Sequence, residues 1–217
     1  MSELFDEVDE EVRRERLKKL WDKYNVLIVA LLVLTIAGVV GWQWYKYVEA
    51  QKAAEAGAAF DSAVALSEQN KHAEAEAAFT ELAAKAPAGY RALARLRAAA
   101  EAAARDPKAG AKMFDDIAAD HSVPAEQRDL ATIRAAGLVL DGASYAEMQQ
   151  RLEASTTASS TFRHSAREML ALSAWRNGDV AAARKWLDAI AEDGETPPSM
   201  RSRAEALQAL LPPVAKS

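Results

Sequence analysis

The segment from Val26 to Trp42 constrains this chain most, because it contains no charged side chain. With the Gln43-Trp44 that follows, it comprises about 19 residues, and a helix rises about 1.5 Å per residue. Such a helix is about as long as the ~30 Å hydrocarbon core of a bilayer is thick. A buried helix of a soluble protein usually keeps a polar stripe, whereas only Thr35 and two glycines interrupt this run. The sequence therefore predicts a transmembrane helix, which we place at residues 24–47.

Aromatic side chains crowd both ends of the apolar segment. Rings with a polar edge collect at the level of the lipid headgroups, so this distribution supports the membrane interpretation. The residues concerned are Trp21 and Tyr24 before the segment and Trp42, Trp44, Tyr45 and Tyr47 at its end.

Cations are unevenly distributed about the segment, since six precede it and only Lys46 and Lys52 follow it closely. Short cytoplasmic flanks retain the excess of lysine and arginine, so we expect residues 1–23 to be cytoplasmic and residues 48–217 to lie across the membrane. A cleaved signal peptide is the competing interpretation, but this apolar run is longer than a signal-peptide core and its aromatic end is a poor cleavage region. An uncleaved anchor is favoured. The preceding cations are Arg13, Arg14, Arg16, Lys18, Lys19 and Lys23.

Composition narrows the classes of function. The formal net charge of −5 argues against nucleic-acid binding, because phosphate contacts need a basic face. The chain has no cysteine, which excludes disulfides, thiolate metal sites and cysteine nucleophiles. The acidic opening of residues 1–11 is either a docking patch for a basic cytoplasmic partner or a solvated run of charge.

After the apolar segment the chain shows only Ala-rich amphipathic helical patterns, separated by turn signals. The signals are helix-capping combinations: Asp106-Pro107, Ser144 with Glu147, Asn177-Gly178-Asp179, and Thr196-Pro197. Eight or nine helices are predicted, and we expect the transmembrane helix to continue without a linker through Lys46 to Gln69.

Aligned on these turns, the helix pairs repeat every 35 to 38 residues. A small residue at a helix crossing, followed by a large apolar residue one turn later, lets two antiparallel helices approach and stack on the next pair. One column holds Ala75, Gly110, Met148 and Ala183, and the column four residues later holds Phe79, Phe114, Leu152 and Leu187. Two further columns hold Ala63, Ala98, Ala136 and Ala171, and Leu82, Ile117, Ser155 and Ile190.

The period and the columns resemble the tetratricopeptide repeat, best around Asn70–Phe79 and Asn177–Ala183. Residues Arg201 to Leu211 would then form a terminal capping helix. The expected fold is all-α, with a single N-terminal transmembrane helix followed by a tetratricopeptide-repeat-like α-solenoid.

The whole layout resembles the bacterial YfgM-like ancillary subunits of the Sec translocon. The resemblance rests on the segment Gly41-Trp42-Gln43-Trp44-Tyr45 at the end of the span and on a helix with alanine at about every fourth residue from Ala50. It implies an inner-membrane protein whose periplasmic repeat domain works beside the translocon with a membrane-anchored periplasmic chaperone. A structural scaffold of another envelope assembly, such as a division or cell-wall complex, is the alternative.

Catalysis finds no support in the sequence. His72, His121 and His164 lie far apart and lack a partner at metal-ligand spacing, so we expect solvent-facing structural roles for them. Phosphate-binding glycine loops and nucleophile-elbow serines are absent. We expect a non-enzymatic protein without cofactor, metal or small-molecule substrate.

Tetratricopeptide arrays usually bind partners on the concave surface, which the first helix of each pair lines. Trp and Arg are enriched at binding hot spots, so Trp175 beside Arg176 is a candidate anchor. Core packing is the competing interpretation for Phe60 and Trp175. The candidate surface is Phe60, Val64, Arg95, Ile133, Leu140, Trp175 and Arg176.

Overall fold

A computed structural model describes residues 3–212, with side chains from residue 13 onward. The acidic opening at residues 1–11 therefore lies outside the described side chains. Within the described range the regular structure is entirely helical, which confirms the all-α prediction. The α-helices are α1 Glu3–Glu68, α2 His72–Lys85, α3 Ala88–Arg105, α4 Pro107–Ala118, α5 Ala125–Val139, α6 Tyr145–Leu152, α7 Arg163–Arg176, α8 Val180–Glu192 and α9 Pro198–Leu210, and a 3-10 helix covers Glu153–Thr156.

The chain divides into two compact units, Met1–Ala54 and Glu55–Ser217. In the first unit the apolar stretch of α1 is exposed along its length, with Val26 at 79% and Leu34 at 69%. Its one hydroxyl, that of Thr35, donates to the Leu31 carbonyl at 2.8 Å, so it needs no partner outside the helix. The stretch is long and apolar enough to cross a membrane, and the protein buries none of it. A core helix of a soluble protein would be covered.

In the second unit consecutive helices pack in antiparallel pairs around three apolar clusters. Most members of the predicted columns belong to these clusters, and Ala75, Phe79, Met148 and Leu152 are each 0% exposed. Ser155 is the exception to its column, because it lies half-buried in the 3-10 helix and joins none of the three clusters. In the third cluster Phe114 and Ile117 of α4 pack with Ala131 and Ala135 of α5. Small residues sit at the crossings and large ones fill the space beside them, which confirms the tetratricopeptide-repeat-like solenoid.

Helix starts follow the predicted capping chemistry. The Asp106 carboxylate accepts from the Lys108 backbone N–H at 2.9 Å, with Pro107 in the first turn of α4. Ser144 and Glu147 form a reciprocal capping box at the start of α6. Gly178 adopts a φ of +80°, a left-handed conformation that favours glycine, and Asp179 then caps α8.

The last helix begins slightly later than the Thr196-Pro197 pair suggested, at Pro198. Thr196 is buried, and its hydroxyl donates to the Ile190 carbonyl at 2.7 Å. This threonine therefore closes the end of α8 instead of capping α9. Helix α9 supplies the predicted terminal helix, and Ala204 is its buried contact.

Candidate protein-binding surface

A groove of about 660 Å³ runs between α3, α5 and α7, the first helices of three successive pairs. This size falls in the range of protein ligand-binding clefts. Apolar side chains and exposed helix backbone make up most of its wall. The lining residues are Ala100, Ala103, Ala104, Phe114, Leu130, Ile133, Arg134, Gly137, Leu138, Phe162, Ser165 and Met169.

Small residues keep the groove open. Helix α3 presents the methyl groups of Ala100, Ala103 and Ala104, and α5 presents bare backbone at Gly137. A Cβ on Gly137 would have ordinary van der Waals contact, 3.7 Å from the Met169 Cε. Packing therefore does not require glycine there, although glycine within a helix costs about 1 kcal/mol relative to alanine. The missing side chain of Gly137 instead leaves the groove deeper at this position.

Arg134 is the one charged residue among those that line the groove, and no carboxylate lines it. Among the described residues Arg134 has no hydrogen-bond or ion-pair partner. Arg163 and Arg203, by contrast, are paired: Arg163 lies 2.8 Å from the Asp193 carboxylate, and Arg203 lies 2.6 Å from that of Glu168. Arg97, exposed one helical turn before Ala100 on the same face of α3, also lacks a partner within the described part of the chain.

Of the seven predicted surface residues, Ile133 lines the groove, where it is 8% exposed and forms part of the floor. Phe60 instead packs in the first cluster, with its ring 5.2 Å from that of Phe79 in an edge-on arrangement and 6.2 Å from Tyr90. Val64 packs against the same cluster. The structure places these two in the core of the first pair.

The remaining predicted residues lie outside the groove lining. Arg95 forms an ion pair with Asp120 at 2.5 Å. This ion pair and the hydrogen bonds that Ser122 donates hold the pKa of the Asp120 carboxyl well below its usual range. Leu140 packs against the C-terminal cluster. Arg176 donates to the Ala143 carbonyl, and Trp175 is 42% exposed near the end of α7. Trp175 is thus the member of the predicted set that is both aromatic and open to solvent.

The expectation of solvent-facing histidines is wrong for His164. This side chain is buried at the start of α7, 3.2 Å from the Thr196 hydroxyl, and burial lowers its pKa. His72 is half-buried, with Nδ1 2.7 Å from the Glu101 carboxylate, whereas His121 is exposed. Within the described part of the chain, no three His, Asp or Glu side chains are grouped to hold a metal ion.

Residues 18–185 match the family of tetratricopeptide repeat-like domains. The matched range begins before the apolar segment and extends into α8, so it includes both the candidate membrane span and the helices that form the groove. Neither a curated protein nor a solved structure is significantly similar to the chain. Solenoids of this kind present extended concave surfaces and typically act as protein-interaction scaffolds. The match covers most of the chain, and the protein belongs to the tetratricopeptide repeat-like domain family.

Proposed function

We propose that this protein is a non-enzymatic, membrane-anchored module that binds other proteins through its repeat unit. The observation that carries the proposal is the groove between α3, α5 and α7, which is apolar, open and lined by the first helices of three successive pairs. A concave, mostly apolar pocket with a few polar groups is the usual form of a binding site. The long apolar stretch of α1 supplies the anchor.

The location we propose is the bacterial inner membrane. Residues 1–23 would be cytoplasmic, residues 24–47 would span the bilayer, and residues 48–217 would form a periplasmic domain. The excess of lysine and arginine before Val26 supports this orientation, because such residues are retained on the cytoplasmic side. Exposed apolar side chains throughout the stretch support its contact with lipid.

The partners we propose are the Sec translocon and a membrane-anchored periplasmic chaperone, with exported proteins as their common client. This step rests on the resemblance carried by Gly41–Tyr45 and the alanine-rich helix that follows. Tethering adds a physical reason: confinement beside a partner gives effective concentrations that reach the millimolar range for short connections. A weak contact at the groove is then sufficient in the cell.

The test is purification of the full-length protein, with the span intact, in mild detergent after crosslinking in cells. We expect translocon subunits and a periplasmic chaperone to be enriched over a control protein that carries the same residues 1–47 on an unrelated periplasmic domain. Division or cell-wall proteins in place of translocon components would contradict the proposal and favour the scaffold alternative. Equal recovery with the control would assign the association to the anchor alone.

A further inference from the structure

The groove differs from most of the repeat surface in combining apolar walls with one unpaired arginine. We propose that it holds an amphipathic helix of a partner protein, whose apolar face carries a single aspartate or glutamate that pairs with Arg134. This inference rests on the proposed function in that the repeat unit binds proteins, and it adds the site and the chemistry of the bound segment.

The backbone requirements of the occupant favour a helix over an extended strand. The groove walls are helices whose backbone groups are already bonded within the helix, and its polar side chains are Arg134 and Ser165. An extended segment would bury N–H and C=O groups that these walls cannot pair, which is costly. A helix satisfies its own backbone and lays an apolar face in such a groove.

The small side chains of the wall suit a helix in the same way. Ala100 and Ala104 are exposed on one face of α3, and Gly137 is exposed on α5 across the groove. Short side chains let a third helix approach closely, whereas leucine at any of these positions would occupy the space. The absence of a packing reason for Gly137 fits this role.

Charge decides which helix fits. An apolar helix laid over Arg134 would remove water from the guanidinium without replacing its hydrogen bonds, and an unpaired buried charge is strongly unfavourable. A carboxylate on the incoming helix removes this cost and forms a charge-assisted contact. No lining residue competes for Arg134, since none is acidic. Arg97 at the margin adds to the attraction for an acidic partner.

The experiment uses the full-length protein in nanodiscs and two displayed peptide libraries of equal length. One library encodes alanine-rich helices with a randomised apolar face, and the other encodes proline- and glycine-rich segments that cannot form a helix. Both are selected against the wild type, Arg134→Gln and Gly137→Leu. The matched controls are Lys108→Gln, an exposed cation on α4, and Ala181→Leu, an exposed position on α8.

We expect the helical library to be enriched on the wild type, with aspartate or glutamate fixed at one position of the apolar face. The selected peptide should lose about ten- to a hundredfold in affinity on Arg134→Gln, as a charge-assisted contact predicts. Changing the acidic residue of the peptide to its amide should lower the affinity by the same factor. The peptide change and Arg134→Gln combined should lower the affinity little more than either change alone. Gly137→Leu should abolish binding without lowering the melting temperature, and both controls should bind normally.

Four results would overturn the inference. They are enrichment of the extended library in place of the helical one, selected helices without an acidic residue, binding that survives Gly137→Leu, and no enrichment of either library. Any of these could occur while translocon components still co-purify from cells, in which case the proposed function stands and uses another surface.

Discussion

Gly110 lies against Ala103 where α4 crosses α3, so closely that a Cβ on Gly110 would come within 3.0 Å of the Cβ, Cα and N atoms of Ala103. Real Cβ atoms essentially never show such contacts, and the neighbour is backbone that cannot rotate away. Gly110→Ala should therefore force the two helices apart and destabilise the protein by about 1–3 kcal/mol. Urea unfolding of the full-length protein in mild detergent, followed by circular dichroism, measures this loss.

Gly137→Ala is the matched control, because it makes the same chemical change where a Cβ meets only the Met169 Cε at 3.7 Å. It should be neutral or stabilise by up to about 1 kcal/mol, the difference in helix propensity. Equal effects of the two substitutions would contradict the assignment of Gly110 to a close helix crossing.

Phe79 is 0% exposed and fills the space beside the crossing of α2 with the end of α1. Phe79→Ala should lower the free energy of unfolding by about 3–5 kcal/mol, the usual cost of removing a buried aromatic ring. Leu93→Ala, at a position that is 46% exposed on α3, is the control and should cost well under that amount. A loss below about 1 kcal/mol for Phe79→Ala would mean that this residue is not a core position.

Local chemistry made the helix starts and the repeat predictable from the sequence. Asp106 and Ser144 cap helices through bonds to residues two or three positions away, so no tertiary information is needed to recognise them. Most of the buried columns were also predictable, because their members recur in one size class at a fixed period, although Met148 and Ser155 depart from the size class of their columns. Thr196 shows the limit: its hydroxyl bonds to Ile190, and only packing decides that it serves α8 and not α9.

The groove was harder to predict because it depends on helix rotation. The predicted set included positions three residues before the buried alanine column, such as Ile133 before Ala136. Ile133 does form part of the groove floor, but the groove wall uses positions two residues before that column, Arg134 before Ala136 and Met169 before Ala171. Consecutive residues of a helix point about 100° apart, so a shift of one position moves a side chain from the floor of the groove to its wall. The alanine column itself carries the signal that locates the lining residues.

His164 makes the stability of the repeat unit depend on pH. The Thr196 hydroxyl uses its only hydrogen in the hydrogen bond to the Ile190 carbonyl oxygen. The neutral imidazole of His164 must therefore donate a hydrogen bond from Nδ1 to the Thr196 oxygen. Burial, followed by the Arg163 charge, lowers the pKa of His164, and Arg167 acts in the same direction, whereas Asp193 and Glu195 oppose it. The unfolded chain therefore binds a proton more readily than the folded protein does.

The contribution of His164 to the free energy of unfolding should consequently fall as the pH drops below about 6.5, the pKa of a free histidine. Above that pH the contribution should not change with pH. His164→Gln removes the titrating group, so the difference in unfolding free energy between wild type and variant should shrink between about pH 7.5 and about pH 5.5. Urea unfolding at several pH values measures it. A difference that stays constant, or grows as the pH falls, would contradict the effect of burial on His164.

The orientation of the anchor is testable with reporters. A reporter that is active only outside the cytoplasm should work when fused after Ser217 and be silent when fused before Met1. Neutralising the six cations from Arg13 to Lys23 should produce a mixture of orientations, because the charge difference across the span sets the topology. Activity of the N-terminal fusion alone would reverse the proposed orientation and exclude a periplasmic repeat unit.

Photo-crosslinking from the groove in living cells tests the central claim most directly. A photoreactive amino acid at Ala104, exposed in the groove, is compared with one at Lys112, exposed on α4 outside the groove lining. We expect the photoreactive residue at Ala104 to give discrete adducts with a translocon subunit or a periplasmic chaperone. The same adducts should disappear in the Gly137→Leu variant and should not form from position Lys112. Identical adducts from both positions, or adducts that persist in Gly137→Leu, would contradict a partner held in this groove.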